Sequence, residues 1–240
     1  ARARGTWLAF TEDDVRVPPD WLARAAARLA ADPALEVLEG RTAKPGGRAL
    51  RVLGADEFLY LPTNLFVRRA LFARVGGYDE GYFDRGVYFR EDADFGFTLE
   101  QAGARVARDD TLVVLHPDEH PRMGDPLRWA SRYVMDARLA RRHPMRFRTR
   151  IEVHRVGPFV VRRPFVRACG VYVAALALAA AFAAFRQPAI AWACVGFAAV
   201  ALTIVWAKWR FDPRRLLVAP LVPFVLLAAL ARGAWRERAG

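Results

Sequence analysis

Thr6-Trp7-Leu8-Ala9-Phe10-Thr11-Glu12-Asp13-Asp14 passes from an apolar, strand-like run straight into three adjacent carboxylates. Leu8 and Phe10 point one way and Trp7 and Ala9 the other, so both faces are apolar, as in a central parallel strand covered on both sides. In open α/β sheets, ligands gather at the carboxyl ends of strands. Three neighbouring carboxylates repel one another unless a cation or donor hydrogens neutralise them. Residues 12 and 14 share a side of an extended backbone, and so can share a hard divalent ion. A solvated acidic turn accounts for the same letters. Beyond them, Asp20 stands as an N-cap before an amphipathic helix from Trp21 to Ala31.

A second acidic cluster, Arg90-Glu91-Asp92-Ala93-Asp94-Phe95-Gly96-Phe97, opens a helix that runs to about Ala102 and is closed by Gly103. Carboxylates in a first helical turn suit the macrodipole. The sharper alternative is a general base facing a cleft. Between the clusters lie Asn64-x-x-x-Arg68-Arg69 and Val75-Gly76-Gly77-Tyr78-Asp79-Glu80, the latter a helix stop followed by a turn. Asp109-Asp110 is expected to form a turn before a strand, Thr111 to Leu115. His116, at that strand's end, is either a metal or phosphate ligand or a plain strand-end histidine. His120, His143 and His154 have no ligand spacing, and Cys169 and Cys194 form neither a disulfide framework nor a zinc site.

The formal charge of the 240 residues is +12, which alone would point to nucleic acid. Its distribution points elsewhere: residues 1–125 are net −4, 126–167 net +10 and 168–240 net +6. A basic collar before apolar runs fits anionic lipid better, and the soluble part has no basic-aromatic platform for nucleic acid. Charge-free runs of 18 residues (168–185) and 21 residues (187–207) are each long enough to cross a hydrocarbon core of about 30 Å. A third apolar run, 216–231, contains Pro220 and Pro223 and could span, re-enter or lie at the interface. Arg and Lys place the collar and the loop Lys208–Arg215 in the cytoplasm and Arg186 outside. Residues 126–150 have the spacing of one amphipathic helix, lying at the headgroup level or packed on the domain before it.

Strand-Thr-Glu-Asp-Asp, then Asn-x-x-x-Arg-Arg, then Val-Gly-Gly-Tyr-Asp-Glu, then Glu-Asp-x-Asp-Phe-Gly-Phe resembles, in that order, glycosyltransferase family 2. These are inverting enzymes of the GT-A fold, an α/β, Rossmann-like nucleotide-sugar transferase domain. The resemblance covers about residues 6–120, the second half of that domain. It implies an incomplete GT-A domain (1–125) lacking its N-terminal half, a basic juxtamembrane region (126–167) and a multi-pass membrane region (168–240). On this expectation the chain is the C-terminal part of a longer protein and has little or no activity alone.

Residue by residue, the resemblance implies that Glu12, Asp13 and Asp14 bind the donor. Asp14 would hold Mg²⁺ or Mn²⁺, and Glu12, in the place of the family's first aspartate, would lie near ribose or metal. Asp92 would be the catalytic base, with Glu91 orienting it or the acceptor. Asn64 and Arg68 would shape the cleft. The Gln-x-x-Arg-Trp signature of processive members is absent at Arg128-Trp129. The expected activity is metal-dependent, hexosyltransferase-type transfer of a sugar from a nucleotide-sugar donor to a lipid-linked or glycan acceptor, at the cytoplasmic face of a membrane containing anionic lipid. The alternative is a degenerate binding or scaffolding protein of the same fold, which the glutamate at position 12 favours.

Overall fold

The computed structural model describes residues 3–44, 60–117, 122–156, 159–209 and 211–239. They form two compact units, residues 1–83 with 90–120, and residues 84–89 with 121–240. The basic collar is therefore part of the second unit together with the apolar helices.

In chain order the first part of the molecule contains β1 (Trp7–Phe10), α1 (Trp21–Ala31), β2 (Val37–Ala43), β3 (Leu65–Arg68) and α2 (Arg69–Val75). A short hairpin of β4 (Phe83–Asp84) and β5 (Val87–Tyr88), then α3 (Glu91–Gln101) and β6 (Val106–Leu115), complete it. The mixed sheet has the order β1-β3-β2-β6, with β3 antiparallel to β1 and β2, and β2 parallel to β6. Strand alternation divides the core. Phe66 and Leu38 face α1, with Trp21, Ala25 and Leu29. Leu65, Val67 and Val37 face α2 and α3, with Leu71, Phe95 and Leu99.

Two expectations are corrected. Among the described residues β1 pairs only with β3, antiparallel, and stands at the sheet's edge rather than between parallel neighbours. Its two apolar faces have another cause: Trp7 packs on the α1 side and Phe10 on the opposite side. The turn expected at Asp109-Asp110 is an irregularity inside β6, where the pairing jumps from Gly40↔Asp109 to Arg41↔Val113. Asp109 Oδ1 fixes it by accepting from the Thr111 backbone N–H (2.9 Å) and hydroxyl (2.6 Å).

Besides residues 84–89, the second unit contains α4 (Asp125–Ser131), a 3₁₀ turn (Arg132–Met135), α5 (Asp136–Arg142) and the short α6 (Pro144–Arg146). One amphipathic helix over 126–150 is thus not formed, since Pro144 cannot continue α5 and the chain changes pitch at Arg132. A hairpin of β7 (Val153–Val156) and β8 (Phe159–Arg162) leads into α7 (Pro164–Ala184) and α8 (Pro188–Ala207). The short α9 (Pro213–Leu216) and then α10 (Val222–Ala239) follow.

Three helices, Pro164–Ala184, Pro188–Ala207 and Ala219–Ala239, are long and apolar enough to cross a membrane. The third apolar segment is thus displaced from 216–231. Pro220 lies in a 3₁₀ turn and Pro223 in the first turn of α10, where a missing N–H costs nothing, so the prolines start the helix instead of kinking it. α7 and α8 pack through small residues, Ala175, Ala198 and Ala201 beside Tyr172. Such contacts let helix backbones approach closely in lipid. Their outward faces expose Trp192 (73%) and Phe197 (67%), tolerable beside lipid tails and costly in water.

Where α7 begins and α8 ends, Trp129, Phe165 and Trp209 meet edge to face, with ring centroids 5.3–5.9 Å apart. Lys208 Nζ lies 3.6 Å from the Trp129 ring centroid. Aromatic rings with a cation at helix ends are typical of a membrane interface. α10 packs on α4, the 3₁₀ turn, α5 and α7, and Gly233 makes that approach possible, because a Cβ there would lie 2.2 Å from the Val134 carbonyl oxygen. Gly233→Ala should gain up to about 1 kcal/mol of helix propensity and lose about 1–3 kcal/mol to overpacking against backbone. The expected outcome is a lowered thermal midpoint in detergent; an unchanged or raised midpoint contradicts this packing.

Candidate functional site

The first unit brings β1's exit and β6's end together. After Phe10 the chain leaves the sheet, turns at Asp13-Asp14 and crosses the strand ends to reach β6. There the Arg16 N–H donates to Leu115 O (2.8 Å) and the Leu115 N–H to Arg16 O (2.9 Å). That bridge sets Glu12 and Asp14 beside His116. His116 Nε2 is 3.6 Å from Glu12 Oε2 and 3.6 Å from Asp14 Oδ2. These are too long for hydrogen bonds. Residues 12 and 14 do share a side, although a turn rather than an extended strand puts them there.

His116 itself is held from two directions. Its backbone N–H donates to Ala43 O (2.8 Å), continuing the β2–β6 pairing. Its Nδ1 lies 2.8 Å from Pro117 O, and a carbonyl only accepts, so Nδ1 carries the proton. Nε2 then faces the two carboxylates. One ligand atom from each of the three residues lies within 4.8 Å of the others, and the Nδ1–carbonyl bond is the support usual for a metal-ligating histidine. These three residues can hold a divalent cation. Asp13 lies in the turn and is exposed.

Asp92 belongs to the same unit. It is the second residue of α3, which begins after Arg90 in a left-handed conformation (φ 76°). Its Oδ1 accepts from the Ala93 N–H (2.7 Å). Burial raises its pKa, against the lowering effect of that N–H and of Arg90. Glu12 is raised too, first by burial, with Asp14, Asp13 and Asp92 adding to the rise and His116 opposing it. Asp92 and Glu12 are therefore close enough to interact electrostatically. The neighbouring Asp94 does not take part: it is buried and accepts from the Tyr82 hydroxyl (3.0 Å). Glu91 is half-buried at the first position of α3.

Tyr78 was not singled out from the sequence, where it is one letter of a turn. Its ring stacks on Phe95 (centroids 4.3 Å apart) and meets Phe10 edge-on (5.6 Å). Its hydroxyl is buried without a hydrogen-bond partner among the described residues. Burial first, then the negative charges of Asp92, Glu91 and Glu12, hold it firmly in the neutral form. The glycines before it decide its place. Gly76 closes α2 at φ 85°, and a Cβ on Gly77 would lie 2.7 Å from Phe72 Cζ. An aromatic hydroxyl following a double-glycine stop, between two acidic clusters, was the signal available.

The two residues assigned to the cleft are elsewhere. Asn64 is 1% exposed. Its Oδ1 accepts from Trp21 Nε1 (3.0 Å), and its Nδ2 donates to Leu112 O (2.8 Å) and Arg41 O (3.2 Å). A Cβ on Gly40 would strike this amide at 2.2 Å. Arg68 donates to Pro33 O (2.9 Å) and Leu35 O (3.0 Å) and lies over the Trp7 ring. The Asn64 amide is thus fully engaged inside the domain, and Arg68 is tied through Nε and Nη2 to the Pro33–Leu35 backbone. His143 is buried in the second unit, His154 lies 3.3 Å from Glu152 O through Nδ1, and His120 is outside the described residues.

No known family model and no curated protein matches the chain, so the residues carry the functional reading themselves. Asn64→Ala strands one buried donor and two buried acceptors, at about 1–3 kcal/mol for each group left unpaired. We expect a large fall in stability, with Mn²⁺ affinity of the folded fraction unchanged. Weakened Mn²⁺ binding at unchanged stability would contradict a purely structural role for Asn64.

Proposed function

We propose that the chain transfers a sugar from a nucleotide-sugar donor to a hydroxyl of a lipid-linked or glycan acceptor, with inversion at the anomeric carbon, at the cytoplasmic face of a membrane. The observation that carries this reading is the Glu12–Asp14–His116 cluster, with a carboxyl, Asp92, near enough to act on Glu12 electrostatically. Resemblance to inverting GT-A enzymes supports the same roles. Basic residues around the start of α7 and the end of α8, against Arg186 alone at the turn between them, support a cytoplasmic first unit.

Glu12, Asp14 and His116 would hold Mg²⁺ or Mn²⁺, and an imidazole in the donor set suits Mn²⁺ better. When bound, the ion supplies Lewis-acid stabilisation of charge on the departing diphosphate. Asp92 is the general base. The Ala93 N–H restrains Oδ1, leaving Oδ2 to take the proton of the acceptor hydroxyl as it attacks. A raised pKa makes this carboxylate a stronger base than an ordinary aspartate. Tyr78 offers a neutral buried O–H among these carboxylates, a donor for an oxygen of either substrate.

In the active protein, Asp92→Asn should lower kcat by about 10²–10⁴-fold, and Asp14→Asn should abolish transfer at ordinary metal concentrations, both without unfolding the domain. Asp92 acts only when deprotonated, so the rate should fall with decreasing pH through a limb lying above the usual aspartate range. NMR of the product should show inversion. Retention at the anomeric carbon, or near-normal transfer by Asp92→Asn, would remove this mechanism.

A further inference from the structure

The second unit contains a cavity of about 370 Å³, of ligand-pocket size. Four guanidinium groups border it, Arg85, Arg128, Arg132 and Arg232, against one carboxylate, Asp84. That carboxylate is already divided: its Oδ2 accepts from Arg232 (2.9 Å) and its Oδ1 from Arg236 (2.9 Å). No carboxylate among the described residues pairs with Arg85, Arg128 or Arg132. The Nε atoms of Arg132 and Arg232 are buried without a hydrogen-bond acceptor. A charged N–H in that state is unfavourable until an anionic acceptor reaches it.

The rest of the wall is apolar. Met135 and Val134 form one side, and Val225, Ala228 and Ala229 of α10 the other. α10 belongs to a segment long and apolar enough to cross a membrane. Inorganic phosphate would satisfy the guanidinium groups and leave this wall wet, whereas a bare hydrocarbon chain would leave the arginines unpaired. A phosphodiester headgroup brings one negative charge, while a terminal phosphate brings nearly two and three acceptor oxygens. We infer that this cavity binds the terminal phosphate of a long-chain phosphomonoester or diphosphomonoester lipid, the phosphate held by Arg85, Arg128 and Arg132 and the chain laid along α10. Binding stands on the second unit alone and does not depend on the transferase reading.

The test is lipid retention by the full chain in phosphatidylcholine nanodiscs, read by native mass spectrometry, so that no sugar transfer is needed. Polyprenyl phosphate is titrated against phosphatidylglycerol and against inorganic phosphate. The wild type should keep one polyprenyl phosphate, with phosphatidylglycerol and inorganic phosphate failing to displace it at equal concentration. Arg132→Gln should weaken retention at least about tenfold, with Arg132→Lys recovering part of it. Arg128→Gln, at an exposed position, should weaken it as well and keeps the test open if Arg132→Gln does not fold. Retention unchanged by both glutamine variants, or phosphatidylglycerol held as tightly as the phosphomonoester, overturns the proposal. Lipid binding beside near-normal transfer by Asp92→Asn, or beside a product of retained configuration, would leave this inference standing and remove the transferase mechanism; transfer without lipid retention would do the reverse.

Discussion

Negative charge gathered at one end of a small sheet is the constraint on which the first unit turns. Glu12 and Asp14 come within 3.6 Å of the same imidazole nitrogen, and Asp92 is near enough to raise the pKa of Glu12. Carboxylates gathered together cost stability through mutual repulsion, even though Glu12 and Asp14 stay partly exposed. The fold nevertheless holds them there, by the Arg16–Leu115 bridge on one side and the start of α3 on the other. The lone histidine is fixed by its own backbone and by Pro117 O, with its Nε2 left for the carboxylates. Groups kept at such cost belong to sites.

Beneath the cleft, the supports are ordinary packing. Phe10, Phe72, Tyr78 and Phe95 form an aromatic layer in the core shared by β1, α2 and α3. On the opposite face the Asn64 amide joins α1, β2 and β6 through three hydrogen bonds. The second unit solves a different problem. Its apolar faces are covered by one another through small residues or left outward for lipid, and its arginines line a cavity beside a membrane-length helix.

Strong local signals were legible in the sequence. α1 and α3 fall where periodicity and the glycine stop placed them, although the Asp20 side chain makes no capping hydrogen bond, and the charge-free runs became α7 and α8. Elements whose identity depends on distant partners were not. β2 reads Val-Leu-Glu-Gly-Arg-Thr-Ala, and its polar letters conceal a buried strand, because Glu39 meets the Tyr60 N–H and Gly40 makes room for Asn64. β1 has two apolar faces without being central. Asn64 and Arg68 carry functional chemistry by type and are consumed by the fold. Of the site, Glu12, Asp14, His116 and Asp92 were recoverable as separate candidates. Their meeting was not, since it depends on the loop that crosses the sheet's end. Tyr78 was hidden because a turn's tyrosine usually faces water, and only the aromatic layer turns this one inward.

The central claim is that Glu12, Asp14 and His116 act together on one divalent cation. Pulsed electron paramagnetic resonance of Mn²⁺ added to the purified protein tests it most directly. The account predicts one tight Mn²⁺ with a directly bound imidazole nitrogen, the nitrogen coupling lost in His116→Ala and the affinity strongly reduced in Asp14→Asn. Mn²⁺ bound without nitrogen coupling, or bound equally well by both variants, would contradict it.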